Sequence, residues 1–400
     1  MKLLAQHGAL CGERIDEGIK KQLIDGVVYS PRDISEANLN TGLEKIAKLS
    51  PKADRLFDPQ FYACFMASRG DSRLGKLAEE YQQYFRARVR SQLEREQAVN
   101  EDITRCLKFQ SGLNVTAVIS PNILIPRSFN SIEAVISKNF IRNAKAQHTK
   151  LKIKKPLLAS LAISRNALTD KQELQEFLNE LTMLEEPPDG FYLNIASSGP
   201  DTRSEIFNAD TIAAWMLINQ SLSLNGFQVV NGFSDLMTPF LGASGAAAGC
   251  TGWFSNLRAF SMARFAPAAG GRLPVQRYLS AGLLNRITFS ELDALRDQLP
   301  GILNKLPLDS LYDKNLGSEP QRNQEVLQSW EALKALNAKL CTGNLAADLG
   351  ACIDSVKKAR GLYTRIPIAL DVKSNDDHID ALDEGLKLFA DLAEIQLPTN

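Results

Sequence analysis

The run Phe227–Arg264, FQVVNGFSDLMTPFLGASGAAAGCTGWFSNLRAFSMAR, decides the fold. It opens on a β-run, FQVVNGF, crosses a short connector and enters a small-residue run, GAAAGCTG, before a polar segment carrying Arg258 and Arg264. Two strands so placed suit the close of a (β/α)8 barrel, and six more strands are then expected upstream.

Working back toward the N-terminus, each β-run is followed by a segment of helical period. GFYLNIASSG precedes NADTIAAWMLINQSLSLNG, where Asn208 or Asp210 can cap the helix and Asn225-Gly226 can stop it. KPLLASLAIS precedes TDKQELQEFLNELTML, and NVTAVISP precedes SIEAVISKNFIRNAKAQ. DRLFDPQFY reads as the third strand, with Pro59 at its end because proline cannot join a central ladder. GVVYS is the second strand, followed by a helix capped by Ser35, and Leu3–Leu10 is the first, followed by the helix RIDEGIKKQLI. A doubly wound open sheet uses the same alternation, but eight strands without an internal gap favour closure.

The expected architecture is therefore an α/β chain: a TIM-like barrel over residues 1–273 with a helical insertion at 66–112, and a mostly helical C-terminal appendage over 274–400. The insertion is too long for an ordinary βα connection and is expected to cap one end of the barrel. In the appendage, EVLQSWEALKALNAKL and HIDALDEGLKLFADLAEI read as helices and RIPIALDV as a short strand.

Composition narrows the function. The 400 residues carry 46 basic and 46 acidic side chains, so no global field draws the protein to nucleic acid or an anionic membrane. Six scattered cysteines suit reduced thiols and a cytoplasmic protein. No run of about 18 apolar residues is present for a membrane span, and none is expected. The histidines, His7, His148 and His378, are too dispersed for a metal site, and no P-loop, dinucleotide or nucleophile-elbow motif occurs, so neither metal nor cofactor is expected.

In a barrel, the active site is built from the loops after the C-terminal ends of the strands. Those positions hold Asp58, Asn122, Arg165, Asn194, Ser197, Asn231, Asp235, Trp253 and Arg258. Asp, Asn and Ser are also what turns and caps require, so each has a structural reading beside the functional one. Asp58, between an apolar run and Pro59, is the leading candidate for a general base or nucleophile, with Asp235 second. Asn194 and Asn231 are placed to read a base edge, Arg258 to hold a phosphate and Trp253 to stack on a base, while small residues in narrow barrel walls also serve packing alone. In the insertion, FRARVRSQLER sets Arg86, Arg88 and Arg90 on an expected helix beside Tyr81, Tyr84 and Phe85, a pattern that suits nucleic acid or a protein partner; the interleaved glutamates equally suit a solvated ion-pair face.

GASGAAAGCTGWFSNLRAFS also resembles the closing strand of the tRNA-guanine transglycosylase-like barrels, in which a glycine-led strand ends in an aspartate-cysteine pair followed by an asparagine or arginine. Cys250 takes the cysteine position, with Asn256 and Arg258 at the basic end. The match covers about twenty residues and departs from the family in two ways: Gly249 stands where the nucleophilic aspartate would, and the clustered zinc cysteines are missing. The resemblance implies a barrel that binds a nucleobase or nucleotide, and base exchange or deazaguanine-linked nucleic-acid modification in DNA-modification or antiviral systems. The alternatives are a subunit that keeps the pocket without the chemistry, and a lyase or isomerase barrel acting on a phosphate substrate.

Overall fold

In the computed structural model, which describes residues 1–69, 72–199, 206–267, 275–312 and 320–396, eight parallel strands follow one another around a ring. They are β1 (Lys2–Gln6), β2 (Gly26–Tyr29), β3 (Asp54–Phe57), β4 (Val118–Ile119), β5 (Leu157–Ser164), β6 (Gly190–Ser197), β7 (Gln228–Asn231) and β8 (Ala248–Thr251). The pairing runs β3-β2-β1-β8-β7-β6-β5-β4, and the ring closes where the Thr116 N–H donates to the Arg55 carbonyl at 2.8 Å and the Arg55 N–H to Thr116 Oγ1 at 3.0 Å. The chain is a (β/α)8 TIM-like barrel.

Alternation along the strands fills its interior. Leu4, Val28, Leu56, Ile119, Leu158, Tyr192, Val230 and Ala248, one from each strand, form a single buried cluster together with Cys250. Neighbouring positions point outward to the helices, as the two-residue period requires. The lumen is thus a packed core up to the level where polar residues take over.

The crossover helices are α1 (Arg14–Lys20), α2 (Glu36–Leu49), α3 (Glu96–Ser111), α4 (Ile132–Lys150), α5 (Lys171–Thr182), α6 (Ala209–Leu224) and α7 (Thr238–Ala243). Ser35 caps α2 and Asn208 caps α6 through their side-chain oxygens. The sequence assigns 66–112 wholly to an insertion, but α3 within it is the regular crossover after β3, clamped to β4 by paired bonds between the Gln110 amide and the backbone of Ile119 at 2.6 and 2.9 Å. The added part is the stretch before α3, whose helices are the short turns Lys76–Glu80 and Arg90–Leu93. Its Tyr84 hydroxyl donates to the Pro59 carbonyl at 3.0 Å and its Tyr81 hydroxyl to the Ile34 carbonyl at 3.1 Å, so it braces the rim of the barrel above β2 and β3.

The eighth crossover arrives late. Helix α8 (Arg322–Leu340) packs on α1, α7 and β1, with Trp330 so close to Gly18 that a Cβ there would come within 2.6 Å of the indole. The expected boundary at residue 273 lies outside the described residues. Before α8 the chain forms an antiparallel hairpin, β9 (Arg277–Ser280) and β10 (Asn285–Thr288), where the sequence reading expects helix alone. The strand expected at RIPIALDV is absent: residues 365–372 have no ladder partner. Two further helices follow, α9 (Leu345–Tyr363) and α10 (Ile379–Leu392). α10 lies along α6, which explains why α6 is buried on nearly every side and carries an apolar sequence all round. No helix among the described residues is long and apolar enough to cross a membrane.

Candidate functional site at the barrel mouth

Above the apolar layer, the C-terminal end of the barrel holds a buried polar cluster built around Asp58. Its Oδ1 accepts the Gln60 N–H at 3.0 Å, and its Oδ2 accepts the hydroxyls of Tyr62 at 2.8 Å and Tyr192 at 3.4 Å. The Tyr192 hydroxyl also lies 3.4 Å from Gln6 Oε1, and Ser30 Oγ accepts the Gln60 side-chain amide at 2.6 Å. Pro59 follows the end of β3, and Gln60 after it has a left-handed φ of 52°, which turns the chain into the helical turn Phe61–Ala63. Leu10, after β1, and Phe233 and Asp235, after β7, are left-handed as well, so four such non-glycine residues lie in the loops at this end of the barrel. Conformations of this kind each cost on the order of 1–3 kcal/mol and gather at functional sites.

Burial dominates the electrostatics. It lifts the Asp58 carboxyl to about 6, against the opposing pull of the Gln60 N–H, the Tyr62 hydroxyl and the Arg264 charge. It also holds His7 neutral, lowered to about 4 although Asp33 pulls the other way. The Tyr62 and Tyr192 phenols are pushed well above their ordinary value by burial and by the Asp58 charge. At neutral pH the cluster therefore contains a carboxyl poised to exchange a proton, flanked by neutral donors.

Several buried polar atoms here have no hydrogen-bond partner among the described residues: both amide atoms of Asn194, Gln6 Nε2, His7 Nδ1, and Nε and Nη1 of Arg264. Gly232 packs directly against this group, since a Cβ there would fall 2.0 Å from Asn194 Oδ1 and 2.6 Å from the Tyr192 hydroxyl. The segment after β8 covers the cluster. Phe260–Ser261 adds to the end of β6, Ser197 Oγ donates to the Phe260 carbonyl at 3.2 Å, and Arg264 pairs with Asp33 at 3.1 Å.

Of the residues singled out from sequence, Asp58 and Asn194 meet in this cluster. The others stand elsewhere or have structural partners. Asp235 is gripped by Arg286 of the hairpin at 2.6 and 2.8 Å and by the Thr251 hydroxyl. Burial alone would raise its pKa, but the charges of Arg286 and Arg258 outweigh that and keep it low. Asn231 accepts the Trp215 indole N–H at 2.7 Å and bonds Asn219, on the outer side of β7. Asn122 donates to the Ser160 carbonyl at 2.6 Å. Cys250 faces the apolar lumen, and burial pushes its thiol up. Trp253 donates its indole N–H to the Ala9 carbonyl at 2.8 Å. Arg258 donates to the carbonyls of Gly252 at 2.9 Å and Trp253 at 3.3 Å and lies 4.0 Å from Glu325, with burial lowering it to about 10. Arg165 begins the turn Arg165–Thr169 after β5.

The arginines of the rim do not share a helix face. Arg88 is bidentate to Asp102 at 2.6 and 2.9 Å, Arg90 pairs with Glu94 and Glu133 at 3.5 Å, and Arg86 is exposed before the helical turn begins. Gly249 alternates outward from the lumen, and a Cβ there would meet the side chains of Thr238 and Ser234 at 2.6–2.8 Å. An aspartate at that position would point away from the mouth.

Sequence reasoning missed Gln6, Tyr62, Tyr192 and Arg264. For Tyr192 the signal was present: in GFYLNIAS it lies two residues from Asn194, on the same face of the strand. Arg264 carried no local signal, because its place depends on how the segment after β8 folds back.

The Asn231 assignment gives a direct check. Asn231→Ala strands the Trp215 indole N–H in the core and is expected to cost about 1–3 kcal/mol in chemical denaturation, with ligand affinity at the mouth unchanged.

No family model matches this chain, and no curated protein matches it. Among solved structures, the dihydrodipicolinate synthase from Oceanobacillus iheyensis aligns over 96% of this chain and 95% of that chain, at 11% identity and a TM-score of 0.29. A likeness of that grade carries nothing about the chemistry of the mouth.

Proposed function

We propose that the mouth of the barrel binds a nucleobase or nucleotide, with Asp58 as the group that exchanges a proton with it. The observation that carries this reading is Asn194, wholly buried with both amide atoms lacking a hydrogen-bond partner among the described residues. A buried amide left bare costs about 1–3 kcal/mol, and its side-by-side donor and acceptor match the edge of a heterocyclic base. Gln6 Nε2 adds a donor, and Tyr62 and Tyr192 hold the Asp58 carboxyl in place.

The resemblance to tRNA-guanine transglycosylase-like barrels agrees with such a ligand and extends the proposal to base exchange or deazaguanine-linked nucleic-acid modification, including a defence setting. With Gly249 facing outward, any exchange chemistry falls to Asp58. The competing reading, a binding subunit without catalysis, has its own observation: both Asp58 oxygens already accept hydrogen bonds, and Asp235 is held by Arg286.

Thermal melts with purines, deazapurines and their nucleosides and nucleotides test the proposal. A selective ligand at 100 times its dissociation constant adds roughly 2.7 kcal/mol to stability. A shift with at least one base is expected, its size changing as pH crosses about 6. No shift with any of them would remove both the catalytic and the binding-subunit readings.

A further inference from the structure

We infer that the mouth recognises an oxyanion on its ligand, a phosphate or a carboxylate, through Arg264. The inference rests on the ligand site proposed above and specifies what the ligand carries. Arg264 has a side chain 1% exposed, lying 5.1 Å from the Phe233 ring centre and 5.5 Å from that of Phe265. Of its three guanidinium nitrogens, only Nη2 has a hydrogen-bond acceptor among the described residues, Asp33 Oδ2 at 3.1 Å. Removing a guanidinium from water without replacing its hydrogen bonds is costly, so a buried arginine that leaves Nε and Nη1 bare is incomplete without an acceptor. The two lie on different edges of the guanidinium, Nη1 being on the Cδ side, so either one can donate a single charge-assisted hydrogen bond to an oxyanion oxygen.

The surroundings favour a negative partner. Asp33 is shared between Arg264 and Arg32, which donates to its Oδ1 at 2.7 Å. The exposed Arg73 joins them: its backbone carbonyl accepts from Arg32 Nε at 3.2 Å, its backbone N–H donates to the Phe265 carbonyl at 2.8 Å, and its charge is felt at Arg32. Arg32 and Arg264 therefore share the single carboxylate of Asp33. The charge of Arg264 reaches Asp58, Tyr62 and His7, which places it over the polar cluster and not on the outer surface. Arg258, the sequence candidate for this role, has its donors on backbone carbonyls instead.

Calorimetric titration of the full chain tests the inference, comparing wild type with Arg264→Gln and Arg264→Lys against a purine base, its nucleoside and its 5′-monophosphate, with orthophosphate and succinate as separate probes. A charge-assisted hydrogen bond predicts that the monophosphate binds roughly 10- to 100-fold tighter than the nucleoside. That advantage should vanish in Arg264→Gln, survive in part in Arg264→Lys, and leave binding of the base itself in place, which shows the site is intact. Should Arg264→Gln fail to fold, Arg73→Gln on the exposed side is expected to cut the monophosphate advantage severalfold. Binding of succinate instead of phosphate, lost with Arg264, identifies a carboxylate as the oxyanion. If nucleoside and monophosphate bind alike and neither oxyanion depends on Arg264, the inference falls while the nucleobase reading stands. If an oxyanion binds through Arg264 but no base does, the inference stands and the nucleobase reading falls.

Discussion

Asp58→Asn is expected to stabilise the protein by about 3 kcal/mol at pH 8, and to lose that advantage as the pH falls to 4. Burial raises the folded-state pKa of Asp58 from 3.8 to about 6. The stability tied to its protonation is fully present below 3.8 and is lost as the pH rises through 6, so above pH 6 the ionised form burdens the fold by roughly 3 kcal/mol. Asparagine removes the charge while its oxygen can still accept the Gln60 N–H and its amide can donate to a tyrosine oxygen.

His7 works in the opposite sense over the same range. Its folded pKa of about 4 lies below the ordinary 6.5, so stability present above 6.5 is lost as the pH falls toward 4. In wild type the two slopes nearly cancel between pH 4 and 6.5. In Asp58→Asn only the His7 slope remains, and denaturation curves at several pH values should show the variant losing ground relative to wild type by about 3 kcal/mol on acidification. A constant difference across that range would mean that Asp58 is solvated and ordinary. A residue that weakens the fold at neutral pH is what a functional carboxyl in a dry site looks like.

Arg286→Met should be more damaging, at about 3–5 kcal/mol. Arg286, from β10, bonds both oxygens of Asp235 in the wall of the barrel. Removing it leaves a buried carboxylate on a left-handed backbone, φ 39°, with the Thr251 hydroxyl as its remaining hydrogen-bond partner among the described residues. The double variant Arg286→Met, Asp235→Asn should recover much of the loss, because the unpaired charge is then gone. Urea denaturation of the four proteins measures this. A loss below about 1 kcal/mol for Arg286→Met would mean that the pair behaves as an exposed one.

The barrel was legible in the sequence because each strand is a buried run followed by a segment of helical period, and because the caps at Ser35 and Asn208 mark where two of the helices start. Asp58 was legible for the same reason: a charged residue at the end of an apolar strand has few ordinary uses. What could not be read were the long-range partners. Asn194 and Asn231 occupy comparable places after comparable strands, yet Asn231 faces out to Trp215 and Asn219 while Asn194 faces in. Asp58 and Asp235 look alike locally, and only a hairpin fifty residues downstream separates them by delivering Arg286. The β9–β10 hairpin itself escaped because RYLS and NRIT are short and too polar to stand out from helical neighbours.

Asn194→Leu tests the central claim in one melting experiment, run with and without the ligand found in the panel. Leucine keeps the branching of asparagine and removes two buried polar atoms that have no partner among the described residues. The account predicts that the variant melts above wild type without ligand, by an amount equivalent to about 1–3 kcal/mol, and shows no ligand shift. A variant that melts below wild type, or one that keeps the full shift, would contradict it: the first would give Asn194 a structural partner, and the second would put the ligand elsewhere.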